Sequence, residues 1–297
     1  MTLLQRETPF PHWQFTAPGG DQLRVVPERG GLVCGWTCGG QERLYFDAER
    51  FHDPGKSVRG GIPVLFPVCG NLPEGQLQLP QGCFAMAQHG FARDLPWQLE
   101  ALADGSGIRL LLCDSATTRA QFPFAFALSL EYRLEPGALA IRAVVRHDAP
   151  ATPGSAAPAV EAPPMPFAFG LHPYLAVPEL AAAGLEDLPD TCFDHLSAAT
   201  APTAGHLQRL AQGVDLRVDV AAAAADDPFR PGLITAPGGS RVWLELEPPF
   251  SHAVVWSDPP RPMVCLEPWS APRGVLGLTL AVGEQQELRC RYRLSDG

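Results

Sequence analysis

The chain has 297 residues and a formal net charge of −10, from 22 basic and 32 acidic side chains. A length of this order suits one large β domain with a substantial core, and 46% hydrophobic with 18% charged residues describes a folded globular chain. The acidic balance without a basic cluster argues against nucleic acid as a partner; no apolar run approaches the roughly 20 residues that span a bilayer and the N-terminus lacks an apolar signal segment, so a cytoplasmic protein outside the membrane is expected.

The dominant hydrophobic period along the chain is two, the period of half-buried strands. "QLRVV" and "GLVCGW" are the first strand candidates, within residues 22–36. Residues 59–73, "RGGIPVLFPVCGNLP", and 87–97, "AQHGFARDLPW", combine glycine and proline turns with ionisable residues, the second running into a strand that begins at Trp97. "WQLEAL" and "IRLLLC" follow. From 122 to 134 the even positions are Phe122, Phe124, Phe126, Leu128, Leu130, Tyr132 and Leu134, which predicts one long half-buried strand. After the turn "EPGA", Leu139, Ile141, Ala143 and Val145 alternate with Arg142 and Arg146 pointing the other way, so the two segments predict a hairpin.

A Pro/Ala-rich stretch at 149–166 reads as an exposed loop, not a domain boundary, because strand patterning continues on both sides. "FAFGLHPYL" at 167–175 places a histidine beside an apolar run, and "AAAAADD" at 221–227 is too short and too poorly flanked for a helix. "VWLELE", "HAVVW" and "PMVCLE" are further strands, and Leu288, Cys290, Tyr292 and Leu294 alternate with glutamate and arginines at the C-terminal end. With 32 prolines and 29 glycines punctuating short strands, the expectation is an all-β fold: one large antiparallel β-sandwich over 1–297, without internal repeats and as a monomer. The eight cysteines sit mostly in apolar runs and read as free buried thiols. "CGWTC" lacks a second pair at ligand spacing, so no zinc site is expected there.

His172, after "FAFGL", and Glu267, after "MVCL", stand on apolar runs where a charge is costly unless paired or used. Each alone has a structural reading: a hydrogen-bonded histidine, a solvent-facing glutamate. In order, however, "RGGIPVLFP", "HGFAR…PW", "GLHPYL" and "VVW…MVCLEP" resemble the aldose 1-epimerase (galactose mutarotase-like) superfamily, closest to its hexose-6-phosphate 1-epimerase branch, over residues 20 to 295. The resemblance implies a β-supersandwich that interconverts α and β anomers of an aldose. It implies His172 as general acid, Glu267 as general base and His89 as a second histidine on the ring oxygen. It assigns Arg59 and Arg93 to a sugar phosphate, and Asp215 in "QGVDLRV" to sugar hydroxyls.

Mutarotation opens a hemiacetal: a base takes the proton of the C1 hydroxyl while an acid protonates the ring oxygen. No electrons leave and no water is added, so neither a metal nor another cofactor is needed. A small-molecule sugar or sugar phosphate is the expected partner. Histidine suits the acid because its ordinary pKa lies near ~6.5, whereas glutamate near ~4.3 becomes a useful base at neutral pH only when desolvated. Trp97, Trp256, Trp269 and Phe91 could offer aromatic surface to the sugar, with core packing favoured for Trp97. The phosphate-using branch often carries a lysine near "CFAMAQ"; here the only lysine is Lys56, which leaves the phosphate to arginines or the substrate unphosphorylated. Two rivals are a non-catalytic sugar-binding or sugar-sensing protein on the same scaffold, and a glycoside hydrolase or lyase, for which a second carboxylate in a comparable motif is lacking. His12, His52, His147, His195, His206 and His252 read as structural or exposed.

Overall fold

The structure, a computed structural model, describes residues 2–149, 163–207, 209–220, 230–235 and 240–295. The described part is built from antiparallel sheets. One eight-stranded sheet runs in the order Gly184–Glu186, Gly232–Ile234, Arg241–Leu246, Gln285–Ser295, Ala138–His147, Phe126–Glu135, Gly107–Cys113 and Gln98–Ala101. A second runs Ala199–Pro202, Thr191–Asp194, Val214–Asp219, His252–Ser257, Met263–Trp269, Gly170–Leu171 and Val64–Leu65, with Tyr174–Ala176 also pairing on Met263–Trp269. A five-stranded sheet formed by the first 42 residues adds its apolar face, including Phe15, Leu23 and Trp36, to the same core. This is the expected large antiparallel β-sandwich.

Period-two patterning translates directly into burial. Phe126, Leu128, Leu130 and Tyr132 are fully buried. Arg133 on the opposite face is half-exposed. The hairpin pairs Glu135 with Ala138 and Phe126 with His147; its two-residue turn needs a residue in the left-handed region, and Gly137 takes it at φ 66°. The long strand, however, begins at Phe126 and not at residue 122. Pro123 cannot donate a ladder hydrogen bond, and the preceding segment forms a one-turn helix, Ala116–Arg119, closed by reciprocal hydrogen bonds between Ser115 and Thr118. Phe122 and Phe124 are buried all the same, from irregular backbone.

Phe66, Phe91, Phe122, Phe126 and Phe167 join the two halves in a cluster, with Phe66 contacting each of the other four at ring-centroid distances of 5.0 to 6.0 Å. Burying such a ring contributes about 1.5–3 kcal/mol. The cluster anchors both the 59–73 and the 87–97 segments from below. All eight cysteines are free, six of them buried. Most of the 149–166 stretch, residues 150–162, lies outside the described residues, as does 221–227.

Candidate active site

The sheet that ends in Val64–Leu65 supplies the floor of a cavity. Its register aligns Asp215, Trp256, Cys265 and Tyr174 in one row across four strands. Side chains two residues apart on a strand share a face, so Glu267 stands one step beyond Cys265 on the same side, opposite Val254. His172 lies two residues before Tyr174, and its backbone N–H donates to Pro63 O at 3.0 Å. Its ring stacks on Tyr174 at 4.8 Å and 11° and meets Trp256 edge-on.

The 87–97 segment closes the cavity from above. Gly90, at φ 75°, brings its backbone so close to Phe66 O that a Cβ would sit 2.0 Å from that oxygen; only glycine allows this approach. His89 itself holds the strained φ of 66°. Its N–H donates to Gly70 O at 2.8 Å, and Gly70 N–H donates back to His89 Nδ1 at 3.0 Å. Because Nδ1 accepts, the proton of the neutral ring sits on Nε2. Burial, with positive charge from nearby arginines, holds His89 well below the usual histidine range. His89 is therefore a neutral hydrogen-bond donor, suited to polarise an ether or ring oxygen.

The cavity is lined by Arg59, Gln88, His89, Arg93, His172, Tyr174, Asp215, Trp256, Glu267 and Arg273, among others. His89, His172, Glu267, Arg59, Arg93 and Asp215 thus meet in one place, and of the four aromatic residues considered Trp256 and Trp269 join them while Trp97 and Phe91 do not. His172 Nδ1 and Glu267 Oε1 are 3.5 Å apart. Glu267 is buried, and its Oε2 accepts from Trp269 Nε1 at 3.0 Å. Desolvation raises the Glu267 carboxyl well above its ordinary range. Desolvation, reinforced by Arg93 and Arg59, pushes His172 down to about 3. Burial thus disfavours the charged form of both groups, the imidazolium of His172 and the carboxylate of Glu267.

Arg59 and Arg93 carry the positive end. Arg59 lies 5.9 Å from the Trp256 ring centroid and donates to Ser57 Oγ and Val58 O. Arg93 donates to Gln88 O at 2.8 Å, and its nearest carboxylate, Asp94, is 3.9 Å away. Neither guanidinium is forked onto a carboxylate, so each retains donors for an anion.

Asp215 is held at both oxygens: His195 Nδ1 is 2.8 Å from Oδ1, and Arg273 Nη2 donates to Oδ2 at 2.9 Å. Burial opposes its ionisation, but these two partners outweigh it and keep the carboxyl below its usual range. Arg273, Gln88 and Tyr174 were missed in the sequence. Tyr174 follows His172 by two residues inside "GLHPYL", and Arg273 follows Glu267 by six, beyond the end of "MVCLEP"; no pattern distinguishes either. His195 is structural as expected, in the service of Asp215. Trp97 packs in the core and donates to Ala92 O. His12 and His147 bind backbone carbonyls, and His252 Nε2 lies 3.3 Å from Asp219 and does not line the cavity.

A family model described as aldose 1-epimerase matches residues 24–293. Over 110 residues the chain is 33% identical to a protein of Escherichia coli (strain K12) named as a candidate glucose-6-phosphate 1-epimerase, covering 36% of this chain and 34% of that protein. A relative of the same name from Cenchrus ciliaris is 26% identical over 180 residues, covering 57% of this chain and 48% of its own length. The chain thus spans between a third and a half of these curated relatives. Among solved structures, the Slr1438 protein of Synechocystis sp. PCC 6803 superposes with a TM-score of 0.82 at 31% identity, covering 93% of this chain and 92% of that one. A galactose mutarotase-like protein from Clostridium acetobutylicum shares the fold, with a TM-score of 0.80 at 17% identity over 100% and 99% of the two chains. The chain belongs to the aldose 1-epimerase family.

Proposed function

From membership of the aldose 1-epimerase family, an isomerase family of carbohydrate metabolism, we propose that this protein interconverts the α and β anomers of an aldohexose 6-phosphate. The observation that carries the reading is one cavity holding a buried histidine–carboxyl pair 3.5 Å apart beside two arginines that, among the described residues, are not forked onto a carboxylate.

His172 protonates the ring oxygen, Glu267 removes the C1 hydroxyl proton, and His89 donates from Nε2 to the ring oxygen as charge develops there. Asp215, locked by His195 and Arg273, accepts from sugar hydroxyls. Trp256 offers its face to the sugar. Ring opening uses a protonated His172 and an ionised Glu267, the charged forms that burial disfavours. Binding a phosphate dianion to Arg59 and Arg93 cancels part of the positive field on His172 and lets the shared proton move toward it. Phosphate then acts in the chemical step as well as in binding. Each placed acid or base contributes typically ~10²–10⁴-fold.

The test is anomer exchange followed by NMR with glucose and with glucose 6-phosphate, for wild type and Arg93→Ala. Wild type should favour the phosphorylated sugar. Arg93→Ala should lose about 10- to 100-fold in kcat/KM on the phosphate, the scale of a charge-assisted hydrogen bond, and little on glucose. Equal wild-type rates on both sugars would sink the phosphate assignment.

A further inference from the structure

Cys265 has no part in the epimerisation derived above, yet it shares the site. It is fully buried, on the same strand face as Glu267 and directly across from Tyr174. Its thiol contacts only Met263 Sδ, at 3.9 Å, among hydrogen-bonding partners in the described residues. His172 is nine-tenths buried, and its Nδ1 finds no hydrogen-bond partner among the described residues. The ligand atoms of His172, Cys265 and Glu267 all lie within 4.8 Å of one another. A soft sulfur, an imidazole nitrogen without a hydrogen-bond partner among the described residues and a carboxyl group converge there.

We propose that His172 Nδ1, Cys265 Sγ and the Glu267 carboxylate form a site for a thiophilic divalent cation, Zn²⁺ first, and that filling it shuts off the enzyme. Zinc takes such ligands at ~2.3 Å for sulfur and ~2.0–2.2 Å for nitrogen and oxygen, in a tetrahedron whose ligand atoms lie roughly 3.3–3.8 Å apart. The three groups therefore need to close by about 1 Å, within the reach of small side-chain rotations. Two ligands come from one strand two residues apart, and the third from the segment that leads into the neighbouring strand, so the backbone need not move. The fourth position faces the cavity and takes water. On binding, the Cys265 thiol and the Glu267 carboxyl release their protons to solvent. The metal occupies the histidine lone pair and the carboxylate oxygen that the reaction uses. Sulfur makes the site selective for Zn²⁺ or Co²⁺ over Mg²⁺ and Ca²⁺.

The experiment uses the full chain with Cys83→Ser and Cys113→Ser as background, since these two thiols are exposed. Glucose 6-phosphate anomer exchange is followed with added ZnCl₂ in chelator-free buffer, and Co²⁺ binding is read separately by its thiolate-to-cobalt absorption. Micromolar Zn²⁺ should inhibit, EDTA should restore activity, and MgCl₂ should do nothing. Cys265→Ser should keep the uninhibited rate and need at least about tenfold more Zn²⁺. It should also lose the cobalt–thiolate band. Absence of inhibition, or equal sensitivity in Cys265→Ser, overturns the proposal. If Cys265→Ser fails to fold, Cys265→Ala and the cobalt band of the background protein decide: no band at one equivalent of Co²⁺ overturns it. The cobalt reading needs no turnover, so failure of the sugar assignment would leave it intact and would be seen separately.

Discussion

Two buried glutamates stand on facing parts of the sandwich with opposite chemistry. Glu131, on Phe126–Glu135, is 5% exposed, and Glu267 is 1% exposed. Glu131 accepts hydrogen bonds from Arg109 and Arg133, at 2.7 and 3.0 Å for the closest contacts, with Arg142 at 3.7 Å. Burial works against its ionisation, but the arginines prevail and the carboxyl stays below its ordinary range. Among the described residues Glu267 accepts a hydrogen bond from the indole N–H of Trp269 alone, and burial prevails, so its carboxyl rises. The same side chain at nearly the same depth is held toward its ionised form in one place and pushed toward its neutral form in the other. Burial sets the cost of charge, and partners decide whether it is met. Further along the same outer face, Glu135, Glu245 and Glu287 are likewise paired with Arg291, Arg293 and Arg142. A charged groove on this face is therefore saturated from within, whereas the enclosed cavity keeps arginines with donors to spare.

The widest separation between the two glutamates should appear in activity. Glu267→Gln is expected to cost ~10²–10⁴-fold in the anomerisation rate, and Glu131→Gln less than about twofold per folded molecule, both read by NMR exchange. A Glu267→Gln protein at near wild-type rate would remove the base. Stability should reverse the order. Glu131→Gln leaves half-exposed arginines short of an acceptor and should cost about 1–2 kcal/mol after allowance for solvent screening, measured by urea unfolding.

The pH dependence of stability should separate the pair in sign. Glu131 has a depressed folded pKa, so its contribution is present above the unfolded value and is lost as pH falls through the folded one. Glu267 has a raised folded pKa, so the native state holds its proton longer, and stability falls as pH climbs from the unfolded toward the folded value. Glu131→Gln should flatten the acid side of a stability curve. Glu267→Gln should flatten the decline above it and make the protein more stable at pH 8. Identical curves for the two variants would contradict the distinction. The smallest effect expected is from Trp269→Phe. Losing the one donor to the carboxylate should move the low-pH limb of kcat/KM to higher pH, with about a 3- to 10-fold loss at neutral pH.

Strands and hairpin were legible because alternation is local: Leu128, Leu130 and Tyr132 face the core wherever the strand is placed. His89, His172, Glu267, Arg59, Arg93 and Asp215 were legible through motifs spread from Arg59 to Glu267. Arg273, Gln88 and Tyr174 were not, because nothing in their neighbourhood separates them from surface or core residues. Phe122 and Phe124 continued the pattern of a strand that Pro123 and a capped helical turn interrupt, a case of local chemistry outweighing periodicity.

The sequence by itself determined which faces are apolar, where the chain turns and which residue types reach the cavity. Tertiary structure alone decided how each charge is met. Asp215 is an anion because His195 and Arg273, 20 and 58 residues away, reach its two oxygens. Glu131 is one because of an arginine 22 residues back. Glu267 is pushed the other way, because the fold buries it with only the Trp269 indole N–H, among the described residues, donating to its carboxyl. Proton affinity depends on surrounding dielectric and partners within a few ångströms, and those are set by strand register and sheet packing across long stretches of chain.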